Sequence, residues 1–404
     1  MRGSFKKTSP KYILLIMNIK KETIESVCKS ARRCGGCRYK NTIYNSSLRD
    51  KQTRLVRLLS RFGYVEKIIG AAEPIHYRNK MQSAFFLRGG NVESGLYQSS
   101  DKRIIATESC MLEDKRAQAI VADVRELCPR FKIRPYDLKT GKGYLRHVLV
   151  RTASTGEIMV VLVTAEGEFP SGRSFVNELL RRHPEITCIV HNINDTATAL
   201  FLGEKCETLY GNGYIEDELC GLRFRISPRS FYQVNHAQTE ILYTKAHEMA
   251  QLKGNERVID AYCGTGTIGL SMADSCADVL GIEINRDAIA DAQQNAKLNG
   301  IENARFVCAD AGEYMHRLAE CGEHIDTVIT DPPRAGCSKK FIEALLTLSP
   351  NRIVYISCNP ETLARDLYSL TKGGYKVEKM QGVDMFPFTE HVESVVSLTR
   401  GFDN

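Results

Sequence analysis

The stretch 258-VIDAYCGTGTIG-269 and the carboxylate of Glu283 decide the fold. Val258 to Ala261 read as a buried strand. Gly264 and Gly266 then let the backbone turn tightly and approach a ligand, and a helical pattern begins near residue 267. Glu283 closes the next strand-like run, where a carboxylate suits hydrogen bonds to ribose hydroxyls. Further runs at Arg305–Cys308, Asp326–Thr330 and Ile353–Ser357 continue the series begun by Arg257–Ala261 and Val279–Glu283. Helical segments are expected between them, near 267–276, 287–299, 312–320, 338–348 and 360–371. Such alternation predicts right-handed crossovers and a mostly parallel sheet covered on both faces. Two closing segments, near 375–386 and 391–399, have no helix between them and are expected to form an antiparallel edge hairpin.

In an open α/β sheet, ligands bind beyond the carboxyl ends of the strands. The loop 262–266, Glu283, Asp310, Asp331-Pro332-Pro333-Arg334 and Ser357-Cys358-Asn359-Pro360 should therefore meet in one crevice. G-x-G-x-x-G alone suggests a dinucleotide. With Asp260 in the preceding strand, the D-x-x-x-G-x-G pattern looks like the S-adenosylmethionine loop of class I methyltransferases. Cys358 precedes a helix expected from Pro360, and a helix N-terminus lowers a thiol pKa. A thiolate beside a methyl donor points to pyrimidine C5 methylation. Addition of sulfur to C6 makes C5 nucleophilic, and a base must later remove the C5 proton. Glu393 is the expected base and His391 the less favoured alternative; in a strand both face one side.

The rest of the chain supplies context. With 404 residues, 43% hydrophobic and 25% charged, the sequence has the composition of a globular protein of two or three domains. Net charge is +7, but residues 1–80 hold 19 basic and 5 acidic side chains, against 36 and 43 in the remainder. That asymmetry suggests a polyanionic partner such as RNA. The apolar run Tyr12–Met17 is too short to cross a membrane and lacks a signal-peptide cleavage site. A cytoplasmic monomer without membrane contact is expected, and Met17 is an alternative start that would make residues 1–16 dispensable. Fourteen cysteines are then read as reduced, metal-binding or catalytic rather than paired. Cys28, Cys34, Cys37 and Cys110 form a candidate four-thiolate site for zinc or an iron–sulfur cluster, with Gly35-Gly36 allowing a close wrap. Residues 21–63 look helical. Short strands dominate from Tyr77 to about Ile226, with one helix around 172–182. The expected divisions are a basic cysteine-bearing segment (1–70), a mixed α/β RNA-binding domain (71–228) and a Rossmann-like domain (229–404).

The segments 230-SFYQVN, 258-VIDAYCGTG, 331-DPPRAG, 357-SCNPET and 391-HVESV together resemble the RNA uracil-C5-methyltransferase family. The resemblance spans nearly the whole chain. It implies a class I methyltransferase domain, S-adenosylmethionine as cofactor, Cys358 as nucleophile and Glu393 as base. It further implies that Gln233, Tyr262, Glu283 and Asp331 contact the cofactor or target base, that Asp310 serves the adenine end, and that Phe231 and Tyr232 line the pocket. The cysteine spacing followed by Tyr77-Arg78-Asn79-Lys80 resembles the branch that carries a 4Fe–4S cluster and mainly modifies ribosomal RNA, so 23S rRNA is the expected target and transfer RNA the alternative. Many members place an OB-like barrel before the cysteines; the 27 residues preceding Cys28 are too few for one, and the basic N-terminal region is expected to supply part of the missing RNA affinity. Competing readings are an RNA cytosine-C5 methyltransferase, disfavoured because Ser precedes Cys358 where Pro is usual, a noncatalytic iron–sulfur RNA-binding protein, and a nicotinamide oxidoreductase.

Overall fold

The computed structural model describes residues 23–98, 103–167, 169, 171–196 and 201–401. The run Tyr12–Met17 and the proposed extension 1–16 lie outside those residues. No helix among the described residues is long and apolar enough to cross a membrane.

Two sheets organise the chain. The central one has seven strands: β2 (Lys80–Arg88), β3 (Asn91–Tyr97), β4 (Ile104–Ala106), β5 (Leu145–Thr152), β6 (Ile158–Thr164), β7 (Ile186–Ile193) and β8 (Lys205–Tyr210), in the order β4-β3-β2-β5-β6-β7-β8. Every residue of β5 and β6 is buried, so this sheet is covered on both faces. Helix Gly172–Arg182 lies where the sequence predicts. Helix Lys115–Arg130 escaped the reading. Its buried Ala117, Ile120, Val121, Val124 and Leu127 repeat at helical spacing, and the Asp114 side chain caps it by accepting from the Arg116 amide. A hairpin of β9 (Ile215–Leu219) and β10 (Leu222–Ile226) follows.

The C-terminal sheet contains β11 (Arg257–Ala261), β12 (Asp278–Glu283), β13 (Ala304–Cys308), β14 (Thr327–Thr330), β15 (Arg352–Ser357), β16 (Tyr375–Val383) and β17 (Glu393–Arg400), joined by β1 (Val65–Ile69). Its order is β1-β16-β17-β15-β14-β11-β12-β13. The five predicted strands run parallel, and the intervening helices fall within a residue or two of their predicted positions, apart from the first, whose α-helical part stops at Met272 and continues as a 3-10 turn to Ser275. The chain proceeds from β11 outward to β13, then returns to β14 on the other side. The crevice between β11 and β14 is thus the switch point at which such sheets bind ligands.

The closing hairpin differs from expectation. It is antiparallel, but it is not the edge. β17 inserts between β15 and β16, and β1 pairs parallel to β16 outside it. Six of the eight β17 residues are buried, which an edge strand facing water would not sustain. Because β17 runs opposite to its neighbour β15, its first residue, Glu393, lies at the carboxyl end of the parallel strands. Helix Tyr44–Leu59 packs beside β1, with Leu55 and Leu59 in one core cluster with Tyr355 and Met380. The expected helical region 21–63 thus comprises Ile24–Val27, Ala31–Cys34 and Tyr44–Leu59, with turns between and a 3-10 turn at Ser60–Phe62.

Candidate active site

The glycine loop is held from below. Asp260 is 1% exposed, and its Oδ2 accepts from the Gly269 amide at 2.8 Å. Burial pushes its pKa up to about 7. A Cβ on Gly269 would lie 2.9 Å from that same oxygen and 2.9 Å from Val279, which is why glycine stands there. Tyr262 adopts φ 63°, a costly conformation for an aromatic residue, and its ring meets Phe341 with centroids 5.2 Å apart. The Glu283 carboxylate spans the loop: Oε2 accepts from the Gly264 amide (3.2 Å) and Oε1 from the Asn285 amide (2.8 Å).

Phe231, Gln233, Tyr262, Gly264, Thr267 and Asp331 line one pocket at the mouth of the switch point. Phe231 is 65% exposed, whereas Tyr232 is buried at 5%. The 230-SFYQVN segment is anchored from two sides, by the central sheet and by helix Arg286–Leu298 of the C-terminal unit. The Arg151 guanidinium donates to the Ser230 carbonyl, the Ser230 hydroxyl donates to Asp291, and Asn79 Nδ2 donates to the Gln233 carbonyl at 3.1 Å. Of the sequence-derived contacts, Gln233, Tyr262 and Asp331 therefore share a wall, and Glu283 borders it through Gly264. Asp310 does not line this pocket; it caps helix Ala311–Glu320, accepting from the Glu313 amide at 2.9 Å.

Cys358 follows β15 and is half-buried. Asn359 caps helix Pro360–Lys372 through the Glu361 amide (3.2 Å), and its Nδ2 donates to the Arg334 carbonyl at 3.0 Å, joining the Cys358 loop to the Asp331–Arg334 loop. Glu393 is 3% exposed, and its Oε2 has no hydrogen-bond partner in the structure. Burial and the neighbouring Asp331 raise its pKa well above the usual carboxylate range, and the Arg334 guanidinium acts in the opposite sense. Burial also lifts Asp331 to about 7. The expected lowering of the Cys358 pKa does not occur. Burial, then the Glu393 and Asp331 carboxylates, push the thiol up to about 11 against the opposing pull of Arg334. Desolvation and two like charges outweigh the helix terminus. His391 precedes β17 instead of sharing a strand face with Glu393, and its Nε2 lies 3.2 Å from Arg334 Nη2. Arg334 is the residue whose role the sequence reading missed; its place in 331-DPPR was the signal.

The four cysteines Cys28, Cys34, Cys37 and Cys110 line a single small cavity with Ile24, Ala31 and Met111. Gln118 fixes Cys110 from both sides, accepting from its amide (3.0 Å) and donating to its carbonyl (2.8 Å). Burial and neighbouring thiols raise Cys37 to about 12 and raise Cys34 as well. No group of three or more His, Cys, Asp or Glu side chains among the described residues is arranged as a metal site.

The family model described as tRNA (uracil-5-)-methyltransferase matches residues 206–401. An uncharacterised RNA methyltransferase of Halalkalibacterium halodurans is 41% identical over 96% of this chain and 86% of its own. One from Clostridium tetani is 40% identical, covering 96% and 85%. Among solved structures, the tRNA (uracil-54, C5)-methyltransferase of Pyrococcus abyssi, in complex with S-adenosyl-L-homocysteine, superposes with a TM-score of 0.76 at 28% identity, covering 90% of this chain and 86% of that one. On these matches the chain belongs to the RNA uracil-C5-methyltransferase family, whose members are S-adenosylmethionine-dependent enzymes.

Proposed function

We propose that this protein methylates C5 of a uridine in RNA, most simply in 23S ribosomal RNA, through a covalent Cys358–C6 adduct. The observation that carries the reading is the position of Cys358 and Glu393 at one end of adjacent strands, with Asp331 and Arg334 beside them. The residues fit the cofactor: Gly264 leaves open space above the loop, Glu283 stands at the end of β12, and Gln233, Tyr262 and Asp331 form the wall beyond. Glu283 would hold the ribose, Asp310 the adenine side, and the pocket wall the amino-acid end. When bound, S-adenosylmethionine supplies an electrophilic methyl group on sulfur.

The protein's own groups do the rest. The Cys358 thiol gives its proton to solvent as its sulfur bonds to C6, and the C5–C6 electron pair moves into an enolate. C5 takes the methyl group. Glu393, as carboxylate, then accepts the C5 proton; the C5–H pair reforms the C5–C6 double bond and the C6–S bond breaks, releasing thiolate. A buried carboxylate with a raised pKa is a strong base once ionised.

Cys28, Cys34, Cys37 and Cys110 are proposed to hold a 4Fe–4S cluster. Their convergence on one cavity and the mutual repulsion of their ionised forms, which a bound cation would relieve, support this. The resemblance of this cysteine pattern to the ribosomal branch favours 23S rRNA. A transfer RNA target is the second reading, favoured by the likeness to the tRNA (uracil-54, C5)-methyltransferase of Pyrococcus abyssi. Mapping 5-methyluridine by mass spectrometry in both RNA classes from cells lacking the protein separates them. The chemistry is tested with Glu393→Gln, which keeps size but removes the basic oxygen. It should accumulate a denaturant-resistant protein–RNA adduct bearing one labelled methyl and requiring Cys358. Normal turnover without adduct would remove Glu393 from the mechanism.

A further inference from the structure

Helix Tyr44–Leu59 lies outside residues 206–401, yet it grips both chemical segments. Its buried stripe carries Tyr44, Leu55, Leu59 and, in phase with them, Lys51. A lysine at 1% exposure is sustained only when its ammonium is fully paired. Nζ donates to Asp384 Oδ1 (2.6 Å), the Phe386 carbonyl (3.0 Å) and the His391 carbonyl (2.7 Å), which uses all three protons. Tyr44 donates to the other Asp384 oxygen at 2.7 Å and accepts from the Ala71 amide at 2.6 Å. Asp384 follows Val383, the register partner of Glu393, and His391 stands two residues before Glu393. The lysine therefore clamps the hairpin loop at both ends.

Three residues on, Arg54 reaches the other segment. Its Nη1 donates to the Glu390 carbonyl at 2.9 Å, and its guanidinium forms a two-pronged pair with Glu361 Oε1 (2.9 Å) and Oε2 (2.7 Å). Glu361 is in the first turn of the helix that begins just after Cys358. One helix face thus fastens the loop leading into Glu393 to the helix behind Cys358. Neither side chain touches the reacting atoms.

We infer that Lys51 and Arg54 are positioning residues that set the separation of nucleophile and base, so that the N-terminal region belongs to the proton-abstraction machinery. The inference rests on the roles proposed above for Cys358 and Glu393. Its signature is selective. Thiol addition and methyl transfer need only Cys358 in place, whereas release also needs Glu393 aligned over C5.

The full-length Lys51→Met and Arg54→Gln proteins are assayed in single turnover on unmodified 23S rRNA and transfer RNA transcripts. The expected result is S-adenosylmethionine affinity and adduct methylation both within twofold of wild type. Release should slow at least tenfold in Lys51→Met and at least fivefold in Arg54→Gln, with methylated adduct accumulating. Leu59→Ala, on the same helix but away from both contacts, is the control for lost stability; it should slow neither step selectively. Parallel loss of methylation and release, no change in either variant, or the same selective slowing in Leu59→Ala overturns the assignment. Should Lys51→Met not fold with Asp384 left unpaired, Arg54→Gln on the partly exposed side decides. Glu393→Gln run alongside separates the two readings. If it traps no adduct, the proposed chemistry fails; if it traps adduct and the helix variants do not, the positioning role alone fails.

Discussion

Ser357 and Ser394 are register partners across β15 and β17, so Cys358, one residue beyond the first, and Glu393, one residue before the second, leave adjacent strands at the same end. The antiparallel insertion of β17 creates this pairing. Had β17 run in the same direction as the other seven strands, its first residue, Glu393, would lie at their opposite end. The topology thus places a thiol, two carboxylates and a guanidinium at one end of the sheet, where burial and the two carboxylates raise the thiol's pKa and the guanidinium opposes them.

The first consequence is a resting thiol. With its pKa pushed up to about 11, Cys358 in the free protein should react with iodoacetamide at pH 8 on the order of 100-fold more slowly than an ordinary exposed thiol. The rate should rise with pH toward 10. Burial disfavours the thiolate, and Asp331 adds a like charge. Asp331→Asn should therefore speed alkylation at pH 8. Below about pH 6 the gain should vanish, because Asp331, with a pKa of about 7, is already neutral there. Peptide-resolved mass spectrometry reads Cys358 apart from the other thiols. A plateau reached by pH 7 would contradict the raised pKa.

The second concerns the cysteine cavity. Anaerobically isolated protein should contain about four irons per chain and absorb broadly near 400 nm, as a four-thiolate 4Fe–4S site requires. Cys34→Ser should lose most of the iron. Stoichiometric zinc without iron would replace the cluster by a Zn–thiolate site. Neither metal in the anaerobic protein would leave the cavity a packed group of reduced thiols.

Much of this is legible in the sequence. The strands from Arg257 to Ser357 stand out because each is a short apolar run followed within three residues by Gly, Asn or Asp, and Asp331, Cys358 and Glu283 sit at those ends. Helix Lys115–Arg130 is legible too, in its helical apolar spacing and its Asp114 cap, although it is not among the elements predicted for that region. Two features are not legible, for physical reasons. The insertion of β17 between β15 and β16 depends on pairing with residues far away in sequence, and no local pattern records it. The thiol's raised pKa depends first on burial and then on carboxylates brought in by two other strands, while the sequence displays only the local helix start at Pro360. Lys51 left a readable trace, a charge in phase with Tyr44, Leu55 and Leu59, but its partners lie more than 330 residues away.

The third consequence concerns Arg334, the cation set against the raised pKa values of both Glu393 and Cys358. Turnover mixes thiol attack with proton removal, so the test isolates release. Methylated adduct is formed at low pH, where Glu393 is neutral and cannot accept the C5 proton, and is then jumped to a series of higher pH values. The release rate follows the ionised fraction of Glu393 and should climb as pH passes through its pKa. Removing a positive charge disfavours the carboxylate, so Arg334→Gln raises that pKa and moves the whole limb to higher pH. On the acid side of that pKa, release should slow several-fold in Arg334→Gln, the sense expected for loss of one close opposite charge. At the alkaline end the two proteins should converge. His391 as base would give the same sign, because Arg334 also lowers its pKa. The His391→Ala background separates the two: with Glu393 as base, release persists there and the Arg334→Gln shift is retained. Loss of release in His391→Ala, or no displacement of the limb in Arg334→Gln, would remove Glu393 or Arg334, respectively, from the roles assigned to them.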